Sequence, residues 1–293
     1  MLALVLSIIT ILAPGILLAL IGLAWQKSGT PFPIDFVTRL VVNVSLPALL
    51  FQTLATAEVS LDALGTLALA ALSVHFVFAS FAVLALKGAG KDWRLGVAHV
   101  VGNTGNLGLP ICLLAFGELG LAYAVTFFAV QCVLMFTLGD AIYAGSFRLA
   151  RALRSPVLHA IWLGLLTRAV DMPLPAVLME TVGLLGQIVI PLMLITLGVS
   201  LAGMRASALP SAILWSSVRT LAAITIGFGV AEAYSLEGVP RGVLILQAAM
   251  PVAVFNFLLA ERHGRDSGEV SSLILVTHLG AILYLPVLLG VLL

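Results

Sequence analysis

A short run of small and polar residues, inside an otherwise apolar segment, carries the groups best suited to binding a solute. Residues Gly102–Pro110 read GNTGNLGLP. The carboxamides of Asn103 and Asn106 donate and accept hydrogen bonds, and Thr104 adds a hydroxyl. Pro110 has no backbone N–H, so we expect a helix crossing a bilayer to be interrupted here. Because backbone groups freed in a membrane must be buried in protein or line a cavity, the run predicts a binding site for a small polar solute.

A second run with the same character is QAAMPVAV, residues 247–254. Aligning Pro251 with Pro110 places Gln247 opposite Asn106, because both pairs are 141 residues apart. If each proline begins the second half of its helix, two helix N-termini meet near mid-membrane. Each N-terminus carries about half a positive charge, which favours an anion such as a carboxylate. The alternative is two proline kinks whose polar groups only cap freed backbone.

Four further polar side chains lie inside apolar runs, where such residues mark function or must find a partner. Arg219 either attracts the anion or holds the carbonyls of an interrupted helix. Gln131 either binds substrate or joins two helices by a hydrogen bond. His75 and Asp140 are candidates for proton coupling, although a histidine that only packs between helices and an interfacial aspartate are the simpler interpretations.

The composition indicates an integral membrane protein. Of the 293 residues, 61% are hydrophobic and 9% charged, and the mean hydropathy is +1.19, which excludes a soluble globular domain. The net charge of +1 argues against a nucleic-acid partner. Cys112 and Cys132 have neither the spacing nor the histidine neighbours of a metal site, so we expect no metal and no cofactor.

The sequence predicts an all-α protein with ten membrane-spanning helices. The apolar runs lie at about 2–25, 34–55, 61–86, 93–116, 121–145, 156–171, 174–201, 209–234, 239–261 and 269–291. Two halves, 1–146 and 155–293, repeat a pattern of prolines and glycines. The matches are Pro14 with Pro156, Gly22 with Gly164, Pro31 with Pro173, Pro33 with Pro175, Pro47 with Pro191 and Pro110 with Pro251. Since each half has an odd number of spans, the second repeat is predicted to be inverted.

Three motifs resemble the auxin efflux carrier family: NVSLPALLF at 43–51, GNTGNLGLP at 102–110 and ILQAAMP at 245–251. The resemblance implies ten spans in which helices four and nine are broken and cross. It also implies a scaffold of spans 1, 2, 6 and 7, a transport domain of spans 3–5 and 8–10, and a homodimer. Bacterial members transport small organic anions such as malonate, malate or auxin-like acids. The similar bile acid:sodium symporter family has a carboxylate at the ninth-span crossing, where this chain has Gln247.

These features together predict a secondary transporter of small organic anions, working by elevator-type alternating access in the inner (plasma) membrane. Its partners would be the anion, membrane lipid and a second copy of the chain. The alternatives are a sodium-coupled symporter of the bile-acid type and a membrane sensor with a transporter fold. An intramembrane aspartyl protease is disfavoured, because Leu138–Asp140 has no second aspartate motif, and a channel because repeated pore-lining charges are lacking.

The loop charges predict that both termini are extracytoplasmic. With that orientation ten loop basic residues are cytoplasmic, and only Arg168 and Arg241 lie outside. The ten are Lys27, Lys87, Lys91, Arg94, Arg148, Arg151, Arg154, Arg205, Arg262 and Arg265. Cysteines placed at Leu2 and Leu293 in a cysteine-free background should react with an impermeant reagent added to intact cells. Labelling that requires permeabilisation would contradict this orientation.

Overall fold

The computed structural model describes residues 2–145, 155–204 and 209–293, and in these ranges the regular structure is helical. The α-helices are α1 (Leu2–Lys27), α2 (Ile34–Leu40), α3 (Leu46–Thr56), α4 (Leu61–Gly88), α5 (Gly96–Val100), α6 (Leu109–Leu134), α7 (Asp140–Ala144), α8 (Pro156–Ala169), α9 (Ala176–Gln187), α10 (Val189–Gly203), α11 (Leu209–Ala233), α12 (Gly238–Ala248), α13 (Phe255–Arg262) and α14 (Ser267–Leu292). Three π-helices, Val41–Ser45, Thr104–Gly108 and Met135–Gly139, and one 3₁₀-helix, Trp93–Leu95, lie between them. The all-helical prediction is confirmed for this part of the chain.

Seven helices in the described ranges are long and apolar enough to cross a membrane. Six of them each correspond to one predicted span, the seventh contains the fourth and fifth, and the remaining two predicted spans are shorter or divided. The fourth and fifth spans share one stretch, Thr104–Ala144, in which two helices are joined at Gly117, where the backbone is not helical. Gly117 has φ +66°, a conformation that glycine adopts without a steric penalty. The sixth span is the 14-residue α8, and the ninth is divided between α12 and α13.

Pro47 and Pro110 do not interrupt their helices but follow turns that are wider than those of an α-helix. Pro47 and Pro110 are each the second residue of an α-helix that directly follows a five-residue π-helix. Since proline cannot donate the backbone hydrogen bond of the preceding turn, a wide turn accommodates its ring. The first of the two interrupted helices is broken before its proline, at Val101–Asn103, and its second half begins at Thr104. The prediction that Pro110 begins this half is therefore wrong.

The second interruption covers residues 249–254 and contains Pro251, while α13 begins only at Phe255. The prediction that Pro251 lies in the first turn of the second half-helix is therefore also wrong. The proposed boundary between the two repeats, with Arg148, Arg151 and Arg154, lies outside the described residues, as does Arg205.

Two helix pairs pack so closely that only glycine fits between them. In the pair α1 and α10, a β-carbon added to Gly22 would lie 1.9 Å from the Ile195 carbonyl oxygen. One added to Gly198 would lie 1.8 Å from the Ala19 carbonyl oxygen. The pair α3 and α8 has a similar contact, in which a β-carbon on Gly164 would lie 2.9 Å from the Phe51 carbonyl oxygen. Small residues allow helix backbones to approach in this way in membranes.

The close contact of α1 with α10 gives a testable prediction. Gly198→Ala should destabilise the protein by about 1–3 kcal/mol, because neighbouring backbone has to move to accept the methyl group. Thermal unfolding of purified protein in detergent measures this change. The matched control is Gly229→Ala in α11, where no atom lies within 4 Å of the new β-carbon. The control should be unchanged or up to about 1 kcal/mol more stable. Equal unfolding temperatures for Gly198→Ala and the parent would contradict the contact.

Candidate functional site

The two interrupted helices cross at a short antiparallel backbone pairing. Gly102 and Val252 face each other in a single antiparallel β-bridge. The Asn103 N–H donates to the Pro251 carbonyl over 2.6 Å, and the Ala253 N–H donates to the Val101 carbonyl over 3.1 Å. Backbone groups that both helices lose from their own ladders are thus satisfied by each other. We call residues 101–103 and 251–253 the crossing.

The backbone pairing indicates which residues of the two interrupted helices correspond to each other at the crossing. Gly102 and Val252 are 150 residues apart, whereas the alignment of prolines assumed 141. With the spacing of the bridge, Asn106 corresponds to Asn256, and the expected match of Asn106 with Gln247 is wrong. The second interruption has its proline inside the crossing and the first has its proline in the following helix, so the two prolines are not equivalent.

Asn103 and Thr104 are buried and bound to neighbouring helices. The Asn103 Nδ2 lies 3.0 Å from Nε2 of His278 on α14. The other ring nitrogen of His278, Nδ1, donates to the Ile274 carbonyl, so Nε2 accepts from Asn103 in the neutral ring. Gln131 on α6 donates to the Gly102 carbonyl over 2.9 Å and to the Thr104 hydroxyl over 2.7 Å. These three predicted residues lie together and support the crossing.

Asn106 differs from its neighbours because its side chain is only partly buried. No described residue forms a hydrogen bond with its carboxamide. It lies on the first turn of the second half-helix, where the leading backbone N–H groups have no partner within the helix. Of the predicted residues around the crossing, Asn106 therefore has a side chain available for a solute.

The carbonyl end of α5 is covered by polar side chains from α11 and α13. Asn256 Nδ2 donates to the Val101 carbonyl over 2.9 Å and to the Ala98 carbonyl over 3.5 Å. Arg219 Nε donates to the His99 carbonyl over 3.0 Å. Of the two interpretations of Arg219, holding helix carbonyls is thus the one seen in this conformation.

The guanidinium of Arg219 is enclosed without a carboxylate partner in the described part of the chain. Its side chain is 1% exposed, and its Nη1 and Nη2 have no hydrogen-bond partner among the described residues. The Phe78 ring lies 5.7 Å from Cζ, within the range of a cation–π interaction. A buried positive charge therefore adjoins the crossing.

Gln247 and Pro110 occupy positions beside the crossing. Gln247 Nε2 lies 3.4 Å from the Ala124 carbonyl of α6, and its Oε1 has no partner among the described residues. Its carboxamide packs against Gly108, where an added β-carbon would meet Oε1 at 2.1 Å. Gln247 thus joins α12 to the second half of the first interrupted helix. Pro110 is buried at the start of α6.

Of the two candidates for proton coupling, His75 and Asp140, the structure describes the side chain of His75 alone. His75 is buried on α4, where its Nδ1 donates to the Ala71 carbonyl over 2.7 Å. Its ring packs against Phe127 with centroids 5.1 Å apart, and the side chain of Gln131, which contacts the crossing, lies nearby. The side chain of Asp140 lies outside the described part of the structure.

Four residues at the crossing were not among the predicted site residues. His278 binds Asn103, Asn256 binds the end of α5, Thr277 Oγ1 accepts from the Val252 N–H over 3.1 Å, and Tyr284 donates to the Ala249 carbonyl over 2.6 Å. The sequence feature that could have revealed them is a polar side chain inside an apolar run, and Thr277 with His278 is the clearest case.

The site offers positive potential and hydrogen-bond donors to a small solute. The second half-helices begin next to the crossing, at Thr104 and Phe255, so their partial positive charges lie close together. Arg219 adds a full charge. In the described ranges, no group of three or more histidine, cysteine, aspartate or glutamate side chains could hold a metal ion.

Comparison with known proteins agrees with this architecture. The family model described as membrane transport protein matches residues 4–147 and 142–289. An uncharacterized transporter of Methanothermobacter thermautotrophicus is 28% identical over 295 residues, which cover 96% of this chain and 95% of that protein. An uncharacterized transporter of Methanocaldococcus jannaschii is 26% identical over 206 residues, covering 64% and 65%. The chain therefore belongs to the membrane transport protein family, the auxin efflux carrier family that its motifs resemble.

Proposed function

We propose that the protein is a secondary transporter of small organic anions, and a carrier rather than an enzyme. The observation that carries the proposal is the crossing, where two interrupted helices pair and both second halves begin. Helix N-termini attract anionic groups, and interrupted helices of this kind hold substrates in secondary transporters. Family membership supports transport, and the positive potential of the site supports a carboxylate as the group that is bound.

The carboxylate is proposed to bind beside the crossing, in contact with Asn106. The Asn106 carboxamide and the first backbone N–H groups of Thr104–Gly108 supply donors to a charged acceptor. The side chains of three neighbouring residues, Asn103, Thr104 and Gln131, already have hydrogen-bond partners within the protein. We therefore expect them to position Asn106 and to contribute less to substrate contact.

Ten spans arranged as two inverted repeats are part of the proposal. The close packing supports it, because Gly22 on Ile195 in one pair matches Gly164 on Phe51 in the other. The offsets are 142 between the glycines and 144 between their contacts. Both values agree with the spacing of the repeated prolines.

Elevator movement is proposed because the helices form two groups with apolar clefts between them. The pairs α1 with α10 and α3 with α8 form a scaffold, and the helices around the crossing form the transport domain. One cleft lies between α1 and α14 and reaches Leu107, Ile111 and His278. The other lies between α4 and α8. Such apolar boundaries, with few polar contacts to break, suit sliding of one group past the other. A homodimer in the plasma membrane, with both termini outside, completes the proposal.

The role of Asn106 is tested by binding. Asn106→Ala should remove a hydrogen bond to a charged group, at a cost of about 1.5–3 kcal/mol. That corresponds to a roughly tenfold to hundredfold loss of affinity. Asn106→Asp should bind more weakly still, because it places a negative charge against the anion. Calorimetric titration of folded, monodisperse protein with mono- and dicarboxylates, malonate among them, gives the affinities.

The matched control for this prediction is Asn43→Ala. Asn43 is an exposed asparagine of the proposed scaffold, and its side chain binds only the Arg39 carbonyl one turn earlier. Its removal should leave affinity within about twofold of the parent, a free-energy change of roughly 0.4 kcal/mol. If both Asn106 variants bind like the parent, the carboxylate does not lie at Asn106.

Transport should not require sodium. In the described ranges no carboxylate lies at the crossing to neutralise a bound cation, and the family resemblance implies that Gln247 takes the place of the acid of the sodium symporters. Uptake into proteoliposomes should therefore proceed at equal rates in sodium, potassium and choline buffers. A strict requirement for sodium would refute this prediction.

A further inference from the structure

Six backbone carbonyls at the crossing already have donors from within the protein. Half-helix carbonyl ends and unwound carbonyls are the groups that coordinate coupling cations in secondary transporters. In pairs of acceptor and donor, the contacts are Ala98 with Asn256, His99 with Arg219, Val101 with both Asn256 and the Ala253 N–H, Gly102 with Gln131, Ala249 with Tyr284, and Pro251 with the Asn103 N–H. These six carbonyls are thus not free to bind a cation in this conformation.

Arg219 is the charged member of this set of donors. Two half-helices, α5 and α12, end at the crossing, at Val100 and Ala248. Each carbonyl end carries about half a negative charge. Arg219 Nε binds the end of α5, and its Nη2 would lie 3.4 Å from a β-carbon added to Gly102. The same β-carbon would lie 3.3 Å from the Met250 carbonyl oxygen, just after the end of α12, so the guanidinium lies near this end as well.

We propose that Arg219 is a built-in cation that takes the place of a coupling ion at the crossing. Its guanidinium neutralises the carbonyl ends of the two half-helices, as a bound metal cation would in a sodium-dependent carrier. This deepens the proposed function and rests on it. The burial of the charge without a described carboxylate partner supports the proposal, because stabilisation then comes from carbonyls, helix ends and the Phe78 ring.

The charge has a second effect on substrate choice. Because Arg219 offsets the carbonyl ends, the partial positive charges at the start of the second half-helices, at Thr104 and Phe255, remain available to an anion bound beside the crossing. An anionic substrate then binds without a co-transported cation. Arg219 is a positioning residue in this scheme, since it binds the His99 carbonyl and so holds the backbone from which Asn103 to Asn106 extend.

The test is replacement of Arg219 followed by chemical rescue. Arg219→Ala should slow carboxylate uptake into proteoliposomes at least about tenfold, because the carbonyl ends lose their cation. Free guanidinium at millimolar concentration should enter the space left by the side chain and restore part of the rate. It should also raise the unfolding temperature of Arg219→Ala and leave the parent unchanged. The matched control is Arg241→Ala, which removes a partly exposed arginine paired with Glu232 and should show neither effect.

A second variant keeps the test decisive if Arg219→Ala does not fold. Arg219→Gln retains an N–H donor for the His99 carbonyl and removes the charge. Carboxylate uptake by this variant should be slow, although its unfolding temperature stays near that of the parent. Uptake by Arg219→Gln at the parent rate, or a folded Arg219→Ala that guanidinium neither stabilises nor reactivates, would overturn the proposal. A parent that moves no carboxylate, together with stabilisation of Arg219→Ala by guanidinium, would refute the proposed function and leave the built-in cation standing.

Discussion

The antiparallel pairing of Val101–Asn103 with Pro251–Ala253 replaces the hydrogen bonds that two helices lose where they are interrupted. In hydrocarbon such groups cannot turn to water, so they must be satisfied inside the protein. Side chains from α6, α11, α13 and α14 bind further carbonyls and the Val252 N–H. The buried polar residues of this chain are therefore concentrated around one backbone feature.

The crossing has two chemically different sides. On one side the half-helices α5 and α12 end, and their carbonyls are bound by Asn256, Arg219 and Tyr284. On the other side the second half-helices begin, and the partly buried Asn106 lies on the first turn of one of them. The side rich in acceptors is filled by protein donors, and the side rich in donors retains a free carboxamide. This difference favours an anion over a cation as the transported species.

Much of this arrangement could be predicted from composition and from polar residues in apolar runs. Hydropathy indicated the helices, and the polar run at Gly102–Pro110 indicated the interruption. The prolines misled, because a proline can be accommodated by a π-helical turn as well as by a break. The partners of the crossing could not be assigned, since Asn103 and His278 are 175 residues apart and only the packing of helices brings them together.

Arg219 also bears on how membrane voltage would act on the transport cycle. In the proposed elevator the guanidinium moves with the crossing, so the empty transport domain carries one positive charge through the electric field. A bound monocarboxylate cancels that charge, and the loaded domain moves as a neutral body. Because one elementary charge corresponds to about 2.3 kcal/mol per 100 mV, the return of the empty carrier becomes the electrogenic step. Counterflow, which uses only loaded carriers, would then be insensitive to voltage, whereas net uptake would follow it.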